Sequence, residues 1–178
     1  MNHITTIAQL TQILDQASPA ECSKIMKRIR IDTSELEHCA TWSDQSYTRN
    51  CLARNEKYEL ILLCWDIGAK TPIHDHGGKD CWVYQIQGTI QETRYQAFNL
   101  RLKETHQMTL SAQKLTYMND SMGYHALENI ANQRAMTLHI YVSPIDVCEV
   151  FNTQKGCFET KKMSYHTHQE KNTSMLVS

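Results

Sequence analysis

Apolar residues recur at helical spacing through the first third of the chain and in short β-rich runs thereafter. Ile7, Leu10 and Leu14 fall on one helical face. Ser18-Pro19-Ala20-Glu21 spells a helix start, with a capping Ser, Pro at the first position and Glu three residues on. Ala20, Ile25, Met26 and Ile29 continue an apolar stripe, and Asp32-Thr33-Ser34-Glu35 marks a second start of the same kind. From about residue 46 the texture changes. Strands are predicted at Tyr58 to Trp65, Cys81 to Gln87, Thr89 to Phe98, Thr109 to Tyr117 and Ala135 to Tyr141, separated by turn signals at Asn55-Glu56, Gly77-Gly78 and Asn119-Asp120. No helical pattern of roughly 10–15 residues separates the later runs, which speaks against βαβ units. The prediction is a mainly β protein, a small antiparallel barrel or jelly roll, with helices packed on it. Residues 1–45 form the helical cover, 46–166 the β core, and 167–178 a polar, flexible tail.

The remaining bulk properties narrow the class. A chain of 178 residues suits one domain with a proper core. The net charge is −1 with both signs interspersed, so neither a basic stripe for nucleic acid nor an acidic tail is present. The longest apolar run, Leu60 to Trp65, is strand-sized and far short of the ~18 residues that span a bilayer. Met1-Asn2-His3-Ile4 carries no secretory pattern. Seven cysteines, an odd number and without a C-x-x-C pair, read as free thiols of a cytoplasmic protein, most of them packed as small apolar residues.

Candidate chemistry concentrates in histidines. His74 and His76 are one residue apart, so on an extended strand both imidazoles point to one face. His125 lies far downstream, where a neighbouring strand can close the site. Three imidazoles on one face of a metal leave the opposite face open, which catalysis requires. His166-Thr167-His168 repeats the H-x-H pattern without a glycine frame, in polar surroundings, and reads as incidental. Trp42, Trp65 and Trp82 read as packing residues.

From Gly68 the spacing runs five residues to His74, one to His76, four to Cys81 and six to Gly88. This resembles the first cupin motif, with Cys81 where many cupins carry a Glu. Gly123 through Asn129 resembles the second, with His125 and Asn129 in place and its Pro absent. Tyr47-Thr48-Arg49-Asn50, Leu63-Cys64-Trp65, the His74-Asp75-His76 motif and His139-Ile140-Tyr141 resemble, in order, the cysteine dioxygenase family. The likeness covers roughly residues 45 to 150.

That resemblance implies Fe(II) held by His74, His76 and His125. It implies that Arg49, with Tyr47 beside it, binds a substrate carboxylate, and that Tyr141 places its hydroxyl near the iron. Thr137 and His139 fall where the family orients that Tyr, usually with Ser at the first position. Cys148 falls at a pocket-mouth cysteine. In several relatives a thioether joins the Tyr to a Cys, here Cys81; many bacterial relatives carry Gly there, so the cross-link stays open. Where the family commonly has Ser-Pro-Pro with a cis peptide, this chain has Val142-Ser143-Pro144, which leaves the turn unassigned. The implied reaction joins L-cysteine and O2 to give 3-sulfinoalanine, in a monomer. Relatives acting on 3-mercaptopropionate typically carry Gln at the Arg49 position, so Arg49 favours L-cysteine. The alternatives are another small thiol, or a metal-bearing cupin that binds a ligand without turnover.

Overall fold

The computed structural model describes residues 2–98 and 101–168. Three short helices come first: α1 (Ile7–Gln16), α2 (Cys22–Met26) and α3 (Thr33–Leu36). The Thr6 hydroxyl accepts from Gln9 N–H and caps α1. At Ser18, Glu21 Oε2 accepts from the Ser18 N–H at 2.9 Å and from its hydroxyl at 2.7 Å, the reciprocal contact that the start signal calls for.

The strands follow. They are β1 (Thr48–Arg54), β2 (Tyr58–Trp65), β3 (Asp80–Gln87), β4 (Thr89–Phe98), β5 (Arg101–Ser111), β6 (Leu115–Met118), β7 (Tyr124–Asn129), β8 (Ala135–Val142), β9 (Val147–Asn152), β10 (Cys157–Lys162) and β11 (Thr167–His168). One sheet has the order β11-β1-β2-β8-β3-β6; a second has β5-β4-β7 and a third β10-β9. Residues 69–75 lace the two smaller sheets together. His74 bridges both His125 of β7 and Val150 of β9, and Asp75 N–H donates to Glu149 O.

The large sheet is covered on both faces, and β2 shows why. Leu60, Leu62 and Cys64 pack with Leu10, Ile29 and Leu36 of the helical layer, whereas Ile61, Leu63 and Trp65 pack with Ile90 and Leu127 of the facing sheet. Alternation along the strand sends successive side chains to opposite faces. With both faces buried, the run from Leu60 to Trp65 is continuously apolar.

The cupin jelly roll is the observed form of the predicted β class. Among the described residues the sheets are not closed into a barrel. Isolated bridges at Lys70 and His74 stand where a closing ladder would run. The single strand expected from Thr109 to Tyr117 is two, because Gln113 adopts φ +66° and gives its N–H to Gln85 O. His74 and His76 sit on an irregular segment rather than a regular strand, since its backbone pairs in turn with β7 and β9. At the expected start of the tail, Thr167 and His168 pair in parallel with Asn50 and Cys51 of β1; residues 169–178 lie outside the described residues. No cis peptide occurs among the described residues, and the turn after β8 is made by Ser143 at φ +68° with its N–H on Lys57 O.

Candidate metal centre and substrate cavity

His74 and His125 form a mutual backbone pair, each N–H donating to the other's carbonyl at 3.0 Å. Residues paired this way in antiparallel chains project to the same side, so the two imidazoles converge. His76 is set differently. Its backbone N–H donates to Asp120 Oδ1 at 2.8 Å, and Gly77 follows at φ +55°, where a Cβ would lie 2.3 Å from Val147 O. Gly123, just before β7, is under the same constraint at φ +95°, with Tyr95 O at 2.3 Å from a Cβ. One nitrogen from each of His74, His76 and His125 lies within 4.8 Å of the others.

The hydrogen bonds fix which nitrogens are spent. His74 Nδ1 donates to Pro72 O at 2.9 Å, and His125 Nδ1 donates to Glu92 Oε1 at 3.0 Å. Each then keeps a lone pair on Nε2. His125 Nε2 and His76 Nδ1 are buried without a partner. Burial, then the neighbouring His125, lowers His74 to about 3, and burial holds His76 well below the usual imidazole range. Neutral imidazoles with lone pairs converging in a buried space are satisfied by a cation, and nitrogen donors of this type suit Fe(II), Zn or Ni.

Glu92 was not singled out by the sequence. It is fully buried on β4, on the same face as Ile90, and a carboxylate at an inward position demands partners. It accepts from His125, from Arg94 Nε at 3.0 Å and from the Thr116 hydroxyl at 2.8 Å. Burial pushes its carboxyl up, but His125 and Arg94 outweigh that and hold it at about 2. Orienting partners of this kind keep a metal-binding imidazole in place.

Beside the histidines, one cavity is lined by Tyr47, Arg49, Leu63, His74, His139, Tyr141, Cys148, Lys161 and Met163. Tyr47 packs on Trp65 with ring centroids 5.0 Å apart, and burial raises its hydroxyl pKa. Arg49 is 8% exposed; its Nε donates to Ser164 O at 3.1 Å and its Nη2 is buried without a partner. Thr137, His139 and Tyr141 occupy alternate positions of β8 and so share a face. Trp65 Nε1–H donates to Thr137 Oγ1 at 2.9 Å, and the same hydroxyl shares a hydrogen bond with His139 Nε2 at 3.0 Å. Burial, then Arg49, keeps His139 well below the ordinary range.

Cys81 and Tyr141 are directly opposed in the antiparallel register of β3 and β8, and both are buried. Burial pushes the Cys81 thiol up, and burial, then the neighbouring Cys81, pushes the Tyr141 hydroxyl well above its usual range, so that it keeps its proton. Tyr47, Arg49, His74, His139, Tyr141 and Cys148 thus line one cavity, His76 and His125 converge with His74, and Cys81 lies opposite Tyr141. The structure adds Glu92, Asp120, Ser164, Lys161 and Met163. The H-x-H read as incidental is also drawn in, since His166 Nδ1 accepts from Arg49 N–H at 3.0 Å.

A jelly roll carrying three convergent histidines beside a small, lined cavity defines a metal-binding cupin. The TT1209 protein of Thermus thermophilus has a similar fold, with a TM-score of 0.52 at 16% identity over 61% of this chain and 93% of its own. The family model "Cysteine dioxygenase type I" matches residues 2–154. Human cysteine dioxygenase type 1 is 32% identical over 174 residues, covering 91% of this chain and 86% of the human protein. The zebrafish (Danio rerio) protein of that name is 30% identical over 168 residues, 91% and 83% of the two chains. The chain belongs to the cysteine dioxygenase type I family, and it is an oxidoreductase of the dioxygenase class. No helix among the described residues is long and apolar enough to cross a membrane.

Proposed function

We propose that the protein is an Fe(II)-dependent dioxygenase that converts L-cysteine and O2 to 3-sulfinoalanine. One observation carries the substrate assignment. Arg49, whose Nη2 is buried without a partner, lines the same cavity as His74. A guanidinium cannot lose its proton, and a carboxylate is its natural partner. His74, His76 and His125 hold the iron in this reading. Iron(II), when bound, supplies the Lewis acidity and one-electron chemistry that O2 requires. Arg49 takes the substrate carboxylate, with the Tyr47 hydroxyl beside it, and so directs the thiol end toward the histidines. Tyr141 retains its proton and offers it as a hydrogen bond; the Thr137–His139 pair keeps the neighbouring imidazole neutral and oriented. The buried walls exclude water. The balance is closed: sulfur loses four electrons, O2 takes them, and both oxygen atoms end bonded to sulfur.

The Cys81–Tyr141 thioether belongs to this proposal. It would replace one S–H and one ring C–H by a C–S bond, with two electrons and two protons leaving to O2. Cross-strand opposition in a buried pair supports it. A tryptic peptide pair joined and lighter by two hydrogens after turnover checks it. An odd number of cysteines, with no C-x-x-C pair, suits a reducing compartment, and we place the enzyme in the cytoplasm. One chain holds every residue invoked, so a monomer suffices.

A second reading is the amine-free thiol 3-mercaptopropionate, favoured by Lys161, a second cation on the cavity wall that opposes a substrate ammonium. Oxygen uptake by iron-loaded protein with each thiol, with mass analysis of the product, separates these readings. Faster turnover of L-cysteine to a product two oxygen atoms heavier is expected. No uptake with either thiol would remove both and leave a ligand-binding cupin.

A further inference from the structure

Residues 163–168 lie back along β1 and meet the chain at Arg49. His166 N–H donates to Arg49 O at 2.7 Å, while His166 Nδ1 accepts from Arg49 N–H at 3.0 Å. Arg49 Nε donates to Ser164 O at 3.1 Å. The arginine is thus held at both main-chain groups and at the root of its guanidinium by residues more than a hundred positions away. Nε is already spent, Nη2 is buried with no partner, and Arg49 lines the cavity shared with His74.

We propose that the strap Met163–His168 positions Arg49, through His166 and Ser164, and thereby sets affinity for the substrate carboxylate. This rests on the reading of Arg49 as the carboxylate's partner. An arginine whose fork is fixed before binding gives up less freedom when the ligand arrives. His166 acts through Arg49 and is a positioning residue.

The strap has anchors that do not involve His166. Met163 N–H donates to Asp146 O at 2.8 Å, the Tyr165 hydroxyl bonds Glu59 and Arg54, and Thr167 Oγ1 donates to Asn50 Oδ1 at 2.8 Å. Removing the His166 ring therefore loosens Arg49 without detaching the segment.

The test compares wild type, His166→Ala, His166→Asn and Arg49→Ala, all iron-loaded. L-cysteine is the main probe; cysteamine, which lacks the carboxylate, is the second. Oxygen uptake gives kcat and KM, and anaerobic calorimetric titration gives Kd. His166→Ala is expected to raise KM and Kd for L-cysteine roughly tenfold, with kcat within about twofold and cysteamine turnover unchanged. His166→Asn, whose Oδ1 can accept where Nδ1 does, is expected to restore most of the affinity. If the alanine variant does not fold, His166→Phe, which keeps a ring and lacks the acceptor, reads the same change. Unchanged Kd in His166→Ala, with binding lost in Arg49→Ala, overturns the strap and leaves the Arg49 reading standing. Unchanged binding in both overturns the Arg49 reading and the strap with it. A parallel fall in kcat and cysteamine turnover marks His166 as merely structural and also overturns the proposal.

Discussion

Glu92→Gln isolates the carboxylate behind the metal centre. The substitution keeps shape and removes one charge from a site with 0% side-chain exposure. Three donors converge there: His125 Nδ1, the Arg94 guanidinium and the Thr116 hydroxyl. A glutamine turns an NH2 toward one of them and leaves Arg94, whose side chain is 14% exposed, without its counter-charge. Breaking a buried pair costs about 3–5 kcal/mol. The isostere keeps part of the bonding, so about 3 kcal/mol is expected, which lowers Tm by roughly 6–12 °C in a chain of this size. His125 also loses the acceptor that fixes its tautomer, and metal affinity should fall about 10- to 100-fold. Urea unfolding of metal-free protein measures the first quantity; anaerobic competition with a chromogenic iron chelator, on folded variant, measures the second. Thr116→Val is the control, costing about 1 kcal/mol with metal binding intact. Wild-type iron affinity in Glu92→Gln would sink the idea that Glu92 orients His125. An unchanged urea midpoint would sink the buried-charge argument.

Three further outcomes are expected. Ser143→Gly should stabilise the protein by about 1 kcal/mol in urea unfolding, because Ser143 holds φ +68° at a cost glycine does not bear; a loss of stability would mean that its side chain matters more than its backbone. Gly123→Ala should lose iron binding and most of its stability, because the new Cβ would meet Tyr95 O at 2.3 Å; a variant that still binds iron would show that the turn before His125 can yield. Burial pushes Cys51, Cys64 and Cys148 up to about 11, so their folded pKa values exceed the unfolded one. Their contribution to stability is complete below the unfolded thiol pKa and is lost as pH rises through 11; denaturation midpoints that stay flat from about pH 8 to 11 would contradict this.

The histidines were legible because their information is local: an H-x-H within a glycine frame, and a third histidine in a recognisable second motif. β2 and β4 were legible because their apolar and polar residues bear the mark of one or two buried faces. Arg49 and Tyr47 carry no such mark. They became candidates through resemblance, since nothing in a short strand near residue 48 announces a cavity formed with β8 and β10. Glu92 had a usable signal, a charge in register with Ile90, but reading it requires knowing which face of β4 turns inward. His166 had none. Its role depends on a contact across 117 residues, and a short polar segment looks alike whether it is free or docked. That the sheets stay open was not legible, because it depends on how residues 69–75 divide their hydrogen bonds between β7 and β9, which strand periodicity does not encode.

The alternation along β8 has a consequence for how this enzyme can vary. Met136, Leu138 and Ile140 answer to the helical layer, whereas His139 and Tyr141 line the cavity on the other face, with Thr137 bonded to His139 beside them. Two vocabularies are interleaved on one strand, so each can be rewritten without touching the other. Side chains facing the helices are free to drift in size for stability, and those facing the cavity to drift in chemistry for substrate. The same interleaving makes the strand intolerant of insertion or deletion. A shift of one residue would exchange the two sets at once, placing Leu138 and Ile140 in the cavity and His139 and Tyr141 beneath the helices. Point substitution is the route by which such a site can diverge, and the reading frame of a single strand is what must be conserved.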